Sequence, residues 1–153
     1  MPLDPSFVGR TYPPHGSYEV GREKVREFAV ATGDESQAFH DPAAAGALGR
    51  GDVVAPPTFA VVLSLAAAER VLRDPDLGLD WGRVVHAEQR FAYARPLVSG
   101  DRLQVTTTID AIRSVGGNDM LTVRGDIGTV DGEHVLTATS VLVARAAPTG
   151  REA

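Results

Sequence analysis

The sequence predicts an α+β domain in which an antiparallel sheet wraps around a central buried helix. Three patterns carry this prediction. Apolar residues recur at helical spacing in the first half of the chain, residues 58–72 are apolar around nearly the whole circumference of a helix, and from residue 83 onward apolar and polar residues alternate as in strands. A helix with so little polar surface has to be enclosed, and a curved sheet can enclose it.

Three helices are expected before the strands. Residues 19–31 place apolar side chains at three- and four-residue spacing, with charged side chains away from them. Asp41 offers an N-cap and Pro42 a first helical residue for a short helix, which the glycines from Gly49 onward end. The third and most apolar helix, residues 58–72, is the one that we expect to be enclosed.

Four long antiparallel strands follow. Alternation is clear over residues 102–109 and 121–127, and residues 134–145 are apolar or small on both faces, as in a central or interface strand. Turn signals separate the strands at Ser99-Gly100-Asp101, Gly116-Gly117-Asn118-Asp119 and Asp131-Gly132. The last of these is typical of a two-residue hairpin.

Length favours one domain, which we place at residues 17–145. The 153 residues are 43% hydrophobic, enough for one core of ordinary size. Residues 1–16 contain four prolines and residues 146–153 are small or polar, so we expect a loosely held N-terminal arm and a C-terminal tail.

Composition excludes several classes of function. The net charge of −5 and the scattered Lys and Arg residues do not form the basic surface of a nucleic-acid-binding protein. Because Cys is absent, there is no disulfide, thiol nucleophile or Cys-ligated metal. No targeting segment and no apolar run of membrane-spanning length is apparent, so we expect a cytoplasmic protein with no membrane partner.

The most informative segment is residues 33–45, Gly-Asp-Glu-Ser-Gln-Ala-Phe-His-Asp-Pro-Ala-Ala-Ala. It resembles the signature of MaoC-like (R)-specific enoyl-thioester hydratases and dehydratases, Gly-Asp-x-Asn-Pro-hydrophobic-His-x-Asp, whose Asp and His are catalytic. Asp34 stands at the aspartate position and Phe39 at the histidine position. The resemblance extends over residues 18–145, because segments 54–59 and 91–101 and the closing hairpin occur in family order.

This resemblance implies a hot-dog fold and an acyl-CoA or acyl-ACP thioester as the ligand. The chain is most similar to the accessory subunits of mycobacterial-type (3R)-hydroxyacyl-ACP dehydratase, which lack the catalytic pair and join a MaoC-like catalytic subunit. Such subunits act in type II fatty acid or mycolic acid elongation. No cofactor is implied, and no metal is expected because the histidines show no metal-ligand spacing. In isolation, a homodimer could replace the natural heterodimer.

The missing histidine matters because of the chemistry. Elimination of water from a 3-hydroxyacyl thioester needs a base for the C2 proton, an acid for the departing hydroxyl and a donor to the thioester oxygen. Phe39 has no exchangeable proton. General acid–base catalysis is worth about a hundred- to ten-thousand-fold in rate, so we expect little activity from the isolated chain.

His40 offers an alternative acid–base group one position further on. A shift of register would make a catalytic pair of Asp34 and His40, and the protein would then be a self-sufficient homodimeric hydratase. Against this, Asp41-Pro42-Ala43-Ala44 aligns with the family without an inserted residue. The other interpretation of His40 is an exposed residue beside a helix cap.

Other candidates belong to substrate binding. Catalytic members of the family carry a glycine whose backbone N–H serves the oxyanion near Pro57, and proline has no N–H to give. The simpler role of Pro57 is to open the helix. The candidate substrate-binding residues are Phe39, Pro56, Pro57, Thr58, Phe59 and Trp81. Phe59 is also expected in the core, and Trp81 could simply pack in its loop.

Three functions therefore stand open. The leading one is an accessory, substrate-accommodating subunit of a dehydratase that pairs edge to edge with a catalytic subunit. The second is the self-sufficient hydratase that uses Asp34 and His40. The third is an acyl-thioester-binding protein without catalysis.

Overall fold

The computed structural model of the chain describes residues 3–145, and the predicted tail at 146–153 lies outside them. The predicted order of helices followed by long strands is confirmed. The elements are β1 Thr11–Tyr12, β2 Tyr18–Glu19, α1 Arg22–Thr32, α2 Pro42–Ala47, α3 Val61–Leu72, β3 Val84–Tyr93, β4 Arg102–Val115, β5 Asn118–Thr129 and β6 His134–Ala144. Single 3-10 turns occupy Pro5–Phe7, Gln37–Phe39, Pro75–Leu77 and Trp81–Arg83.

The strands form one six-stranded antiparallel sheet. Its order is β1-β4-β5-β6-β3, and β2 also pairs with β4. The expected central position of the final strand is confirmed, because β6 lies between β5 and β3. Within residues 3–145, β3 has a neighbour on one side only, so its other side is an open edge.

Helix α3 packs on the inner face of the sheet. Its buried side chains include Leu63 near the start and Val71 and Leu72 near the end. Leu63 belongs to a core cluster that contains Phe59, and Val71 to a second cluster with Leu121. The helix begins three residues later than predicted, because residues 58–60 form a turn. None of the helices in the described chain is long and apolar enough to cross a membrane.

The hairpin turns differ from the prediction at one place. Residues 116 and 117, both glycine with φ of 58° and 81°, form a two-residue turn between the paired Val115 and Asn118. Both positions need φ above zero, which glycine allows. The predicted two-residue hairpin at Asp131-Gly132 is wrong. There, residues 130–133 form a four-residue loop, because the Thr129 N–H donates to the Glu133 carbonyl at 2.8 Å.

Residues 3–17, here called the N-terminal strap, run beside β4 and contact the segment that follows α3. The expectation of a loose arm is wrong for residues 3–12. Leu3 is buried and its N–H donates to the Asp119 carboxylate at 2.9 Å. The Tyr12 hydroxyl donates to Asp74 at 2.8 Å, and Arg10 lies 3.4 Å from the same carboxylate. The strap is therefore latched to the end of α3 and to the sheet.

We expect Tyr12→Phe to lower the free energy of unfolding by about 1 kcal/mol, because it leaves the nearly buried Asp74 carboxylate without its hydroxyl donor. Urea unfolding measures the change. Tyr18→Phe is the matched control, since the Tyr18 hydroxyl makes no hydrogen bond within residues 3–145. An equal loss in both variants would contradict the latch.

Candidate functional site

The signature segment forms a tight loop after α1. The helix ends at Gly33, whose φ of 72° is the left-handed conformation that glycine adopts freely. The Asp34 carboxylate then accepts a hydrogen bond from the Ser36 N–H at 3.1 Å, and one 3-10 turn leads to Phe39. Local capping chemistry therefore shapes this loop.

Asp34 and His40 meet, but through the main chain. His40 Nε2 lies 3.2 Å from the Asp34 carbonyl oxygen, while the Asp34 carboxylate is directed to Ser36. The contact is a hydrogen bond when Nε2 carries the proton. Both side chains are half-buried. The imidazole ring of His40 is thus held by a main-chain carbonyl. A carboxylate–imidazole pair would form only if the Asp34 side chain rotated toward His40.

Phe39 faces the interior. Its half-buried ring packs against the core cluster that includes Phe59 and Ala55. The preceding Ala38 carbonyl accepts a hydrogen bond from the Val54 N–H at 2.9 Å, which ties the signature loop to the segment before α3. The phenyl ring of Phe39 therefore contributes apolar packing and no proton transfer.

Two arginines of α1 fix the chain that follows the signature. Arg26 Nε donates to the His40 carbonyl at 2.8 Å. Arg22 forms two hydrogen bonds of 2.8 Å with the Asp52 carboxylate, and this guanidinium lowers the pKa of Asp52. The loop that carries His40 and α2 is thereby held against α1.

The start of α3 forms the second part of the site. Pro56 is buried, Pro57 and Thr58 are exposed, and Phe59 is fully buried. The Phe59 ring contacts Phe28 edge to face, with centroids 5.3 Å apart. Of these four candidates, Pro57 and Thr58 are therefore the ones accessible to a ligand, and Phe59 acts as core.

Tyr93 clamps this helix start. Its hydroxyl donates to the Pro57 carbonyl at 2.6 Å. Burial raises the pKa of Tyr93 to about 12, so the phenol stays protonated and keeps donating at neutral pH. Tyr93 was not predicted as a site residue, although it lies in segment 91–101, which resembles the family.

Arg95 in the same segment was also missed. Its guanidinium binds the Asp101 carboxylate at 2.8 and 3.0 Å and the Glu133 carboxylate at 2.8 and 3.2 Å. These carboxylates raise the pKa of Arg95 further above its ordinary value. An arginine six residues before an aspartate, around a proline turn, is the signal that could have predicted the pair.

Trp81 lies away from the other candidates. It follows the C-terminal end of α3, whose 12 residues span about 18 Å, whereas Pro57 precedes the N-terminal end. The side chain is 44% exposed, and the Arg73 guanidinium lies 5.2 Å from its ring centre. It lines a groove of about 460 Å³ with residues of α3 that include Leu65 and Leu72, and with β3 and β6.

The site offers few groups for chemistry. Asp34 and His40 are the titratable side chains of the signature loop that sequence reasoning assigned to catalysis, and their roles stay predictions. Within residues 3–145 no three His, Asp or Glu side chains form a group that could hold a metal ion. The arrangement provides the apolar ring of Phe39, packed on the core cluster that contains Phe59, and a start of α3 that the Tyr93 hydroxyl holds in place.

The family description "FAS1-like, dehydratase domain region" matches residues 6–138. A UPF0336 protein of Streptomyces avermitilis is 58% identical over 150 residues, which are 98% of this chain and 100% of that protein. The chain belongs to the MaoC-like dehydratase family. This membership confirms the resemblance that the signature segment indicated.

Two solved structures confirm the hot-dog fold for this family member. A chain described as a MaoC-like dehydratase is 35% identical, with a TM-score of 0.85 over 93% of the present chain. The match spans 43% of that longer chain. A chain of the C-terminally truncated HadBC (3R-hydroxyacyl-ACP dehydratase) complex from Mycobacterium tuberculosis is 31% identical, with a TM-score of 0.83 and coverage of 94% and 99% of the two chains.

We expect Tyr93→Phe to flatten the loss of stability at alkaline pH. The pKa of Tyr93 in the folded protein, about 12, lies above its ordinary value of 10.0, so the stability that the protonated phenol contributes is complete below pH 10 and is lost as the pH rises toward 12. One such group contributes a slope of at most about 1.4 kcal/mol per pH unit. Urea unfolding of both proteins at pH 8, 10 and 11.5 measures this, and an unchanged slope would contradict the clamp.

Proposed function

We propose that the chain is an accessory, substrate-accommodating subunit of a (3R)-hydroxyacyl-thioester dehydratase or enoyl hydratase in cytoplasmic type II fatty acid or mycolic-acid-like elongation. One observation carries the proposal: Phe39 stands at the histidine position of the signature, with its ring against the core. In the described chain, the Asp34 carboxylate is bound to the Ser36 N–H and to no imidazole.

The proposed role requires a catalytic partner, and the side of the molecule near β3 suits one. Unpaired strand edges invite pairing with another chain. Val85 on β3 is 45% exposed, and Leu65 on the outward face of α3 is 39% exposed. The groove lined by Trp81 runs between Leu65 and residues Val84 and His86 of β3. An apolar face that continues from a free strand edge favours a second hot-dog subunit, and a MaoC-like subunit with Asp and His is the partner that would complete the site.

The relatives support this partnership by their descriptions. The M. tuberculosis protein that this chain resembles was solved as a complex named for dehydratase subunits. We infer from this that an acyl-CoA or acyl-ACP thioester is the ligand of the pair and that the homodimer is a substitute formed in isolation.

A second candidate is the self-sufficient homodimeric hydratase. The observation in its favour is the 3.2 Å contact between His40 and the main chain of Asp34, which keeps an imidazole beside the family's aspartate. A rotation of the Asp34 side chain would pair the two groups. This candidate predicts turnover by the chain alone, whereas a plain acyl-thioester-binding protein predicts none under any pairing.

The deciding experiment measures hydration of a trans-2-enoyl thioester by loss of its conjugated absorbance. We expect no measurable turnover by the purified chain and turnover after coexpression with a MaoC-like subunit from the same genome. His40→Ala in the pair should keep most of the rate, as should the control His134→Ala on the far side of the sheet. Activity of the chain alone that His40→Ala abolishes would overturn the accessory role.

We also expect Leu65→Glu to weaken association with the catalytic subunit at least tenfold, because a buried unpaired carboxylate is strongly unfavourable at an interface. Copurification and analytical ultracentrifugation measure the effect. Val115→Glu is the matched control, since Val115 is 57% exposed at the β4–β5 turn, and β5 and β6 separate β4 from β3. Equal association of both variants would exclude this face as the interface.

A further inference from the structure

The outer face of the sheet carries a shallow trough of about 330 Å³, here called the outer trough. Short side chains of the two central strands form its floor, namely Met120 and Thr122 of β5 and Thr139 and Val141 of β6. These residues alternate with Leu121 and Leu142, which lie in the core cluster that contains Val71 of α3. The outer trough therefore lies on the side of the sheet opposite α3.

Long charged side chains form the two walls of the outer trough. Arg113 stands on the β4 side, and Glu88 and Arg90 stand on the β3 side, where they form an ion pair with each other. All three side chains are exposed. Within residues 3–145 Arg113 forms no ion pair, since Asp110 on the same strand pairs with Arg124. One wall is therefore an unpaired cation, and the other wall carries a carboxylate.

The two walls are far apart within one chain. Arg113 is in register with Met120 of β5. Glu88 is in register with Val141 of β6, and Val141 with Thr122 of β5. The two central strands lie between the walls, and three strand spacings amount to about 14 Å. Arg113 and Glu88 therefore do not meet inside a single chain, although they lie within two residues of each other along the strand direction.

A two-fold axis parallel to the strands exchanges the two walls. When two such sheets face each other about this axis, β4 of one copy lies over β3 of the other, and β5 lies over β6. Arg113 of each copy then stands over the wall that holds Glu88 of the other copy, and the contact occurs twice. Sheets packed face to face lie about 10 Å apart, a gap that an arginine and a glutamate span together. The charge pattern of this face is thus complementary to itself.

We propose that two copies of this chain associate through the outer faces of their sheets, with Arg113 of each copy paired to Glu88 of the other. The floor adds apolar burial at the centre, where Met120 and Val141 of both copies meet. The inference goes beyond the proposed function and does not depend on it. Because the contact uses the face of the sheet, the hydrogen-bonding edge of β3 stays open.

Charge reversal tests this contact by analytical ultracentrifugation of the full-length chain. Every protein also carries Leu65→Glu, which suppresses association near the β3 edge, so that a monomer–dimer equilibrium reports the outer face. We expect Arg113→Glu and Glu88→Arg each to weaken the dimer at least tenfold, because like charges then face each other at two places. The double variant Arg113→Glu/Glu88→Arg should restore the dissociation constant to about threefold of the parent value, since opposite charges face each other again.

Arg102→Glu is the matched control, since Arg102 is an exposed arginine near the start of β4 and does not line the outer trough. This variant should dimerise as the parent does. An equal loss in Arg102→Glu and Arg113→Glu would reduce the effect to net charge and overturn the proposal. A double variant that stays as weak as the single ones would overturn it too, as would a parent that remains monomeric up to about 1 mM.

A different occupant of the outer trough gives a different result. If the parent chain does not self-associate, and Arg113→Glu instead weakens copurification of another protein, the second copy is excluded as the occupant. Such a result would contradict the proposal even though it would retain the outer trough as an interface.

These outcomes are distinguishable from failure of the proposed function. With a catalytic subunit at the β3 edge, contact of two outer faces gives a particle of four chains. Arg113→Glu should then halve the mass of the particle and leave its turnover unchanged. A chain that dimerises through the outer face but finds no catalytic partner would retain this contact and lose the accessory role. A pair that turns over substrate but never exceeds two chains would do the reverse.

Discussion

The packing of α3 on the inner face of the sheet is the constraint on which the rest of the structure depends. The helix carries so few polar side chains that it needs the sheet, and the inner residues of β4, β5 and β6 need a cover. Ser64 illustrates the strength of this constraint: it is 5% exposed, and its hydroxyl has no hydrogen-bond partner within residues 3–145. Apolar packing therefore fixes the helix, even where a polar group is left unsatisfied. The groove lined by Trp81 and the start of the candidate site lie along this one helix.

Patterns that are local in sequence predicted the fold well. Alternation over 102–109 and 121–127 located two strands, and the apolar run at 58–72 located α3, because periodicity is imposed by the element itself. The strap escaped prediction because its order comes from distant partners, as Thr11 pairs with Thr108. The hairpin at Asp131-Gly132 was misread for a different, local reason, because a hydrogen bond between Thr129 and Glu133 sets the loop length.

The sequence predicted that three candidate residues share one loop, but not how their side chains are oriented. Signature spacing placed Asp34, Phe39 and His40 in one loop, and the structure has them there. No spacing rule shows that the His40 ring faces a main-chain carbonyl, because this depends on the turn between the two residues. The Tyr93 hydroxyl reaches Pro57 across 36 positions, and only the folded sheet brings such partners together. The sequence thus predicts which residues lie together in the loop, and the fold determines which of their atoms meet.

The N-terminal strap is synthesised first, but it can pair with the sheet only after β4 and β5 have been synthesised. Its pairing partner in β4 is about a hundred positions downstream, and the Leu3 N–H bonds to Asp119, 116 positions away. The hairpins of β4, β5 and β6 are close in sequence and can form early, whereas contacts of such long range carry a large loop-closure cost. During synthesis we therefore expect the strap to remain unpaired, and the apolar face of α3 to stay uncovered, until β4 and β5 have been synthesised. For that interval the nascent chain exposes side chains such as Leu63, Val71 and Leu72 that the folded protein buries.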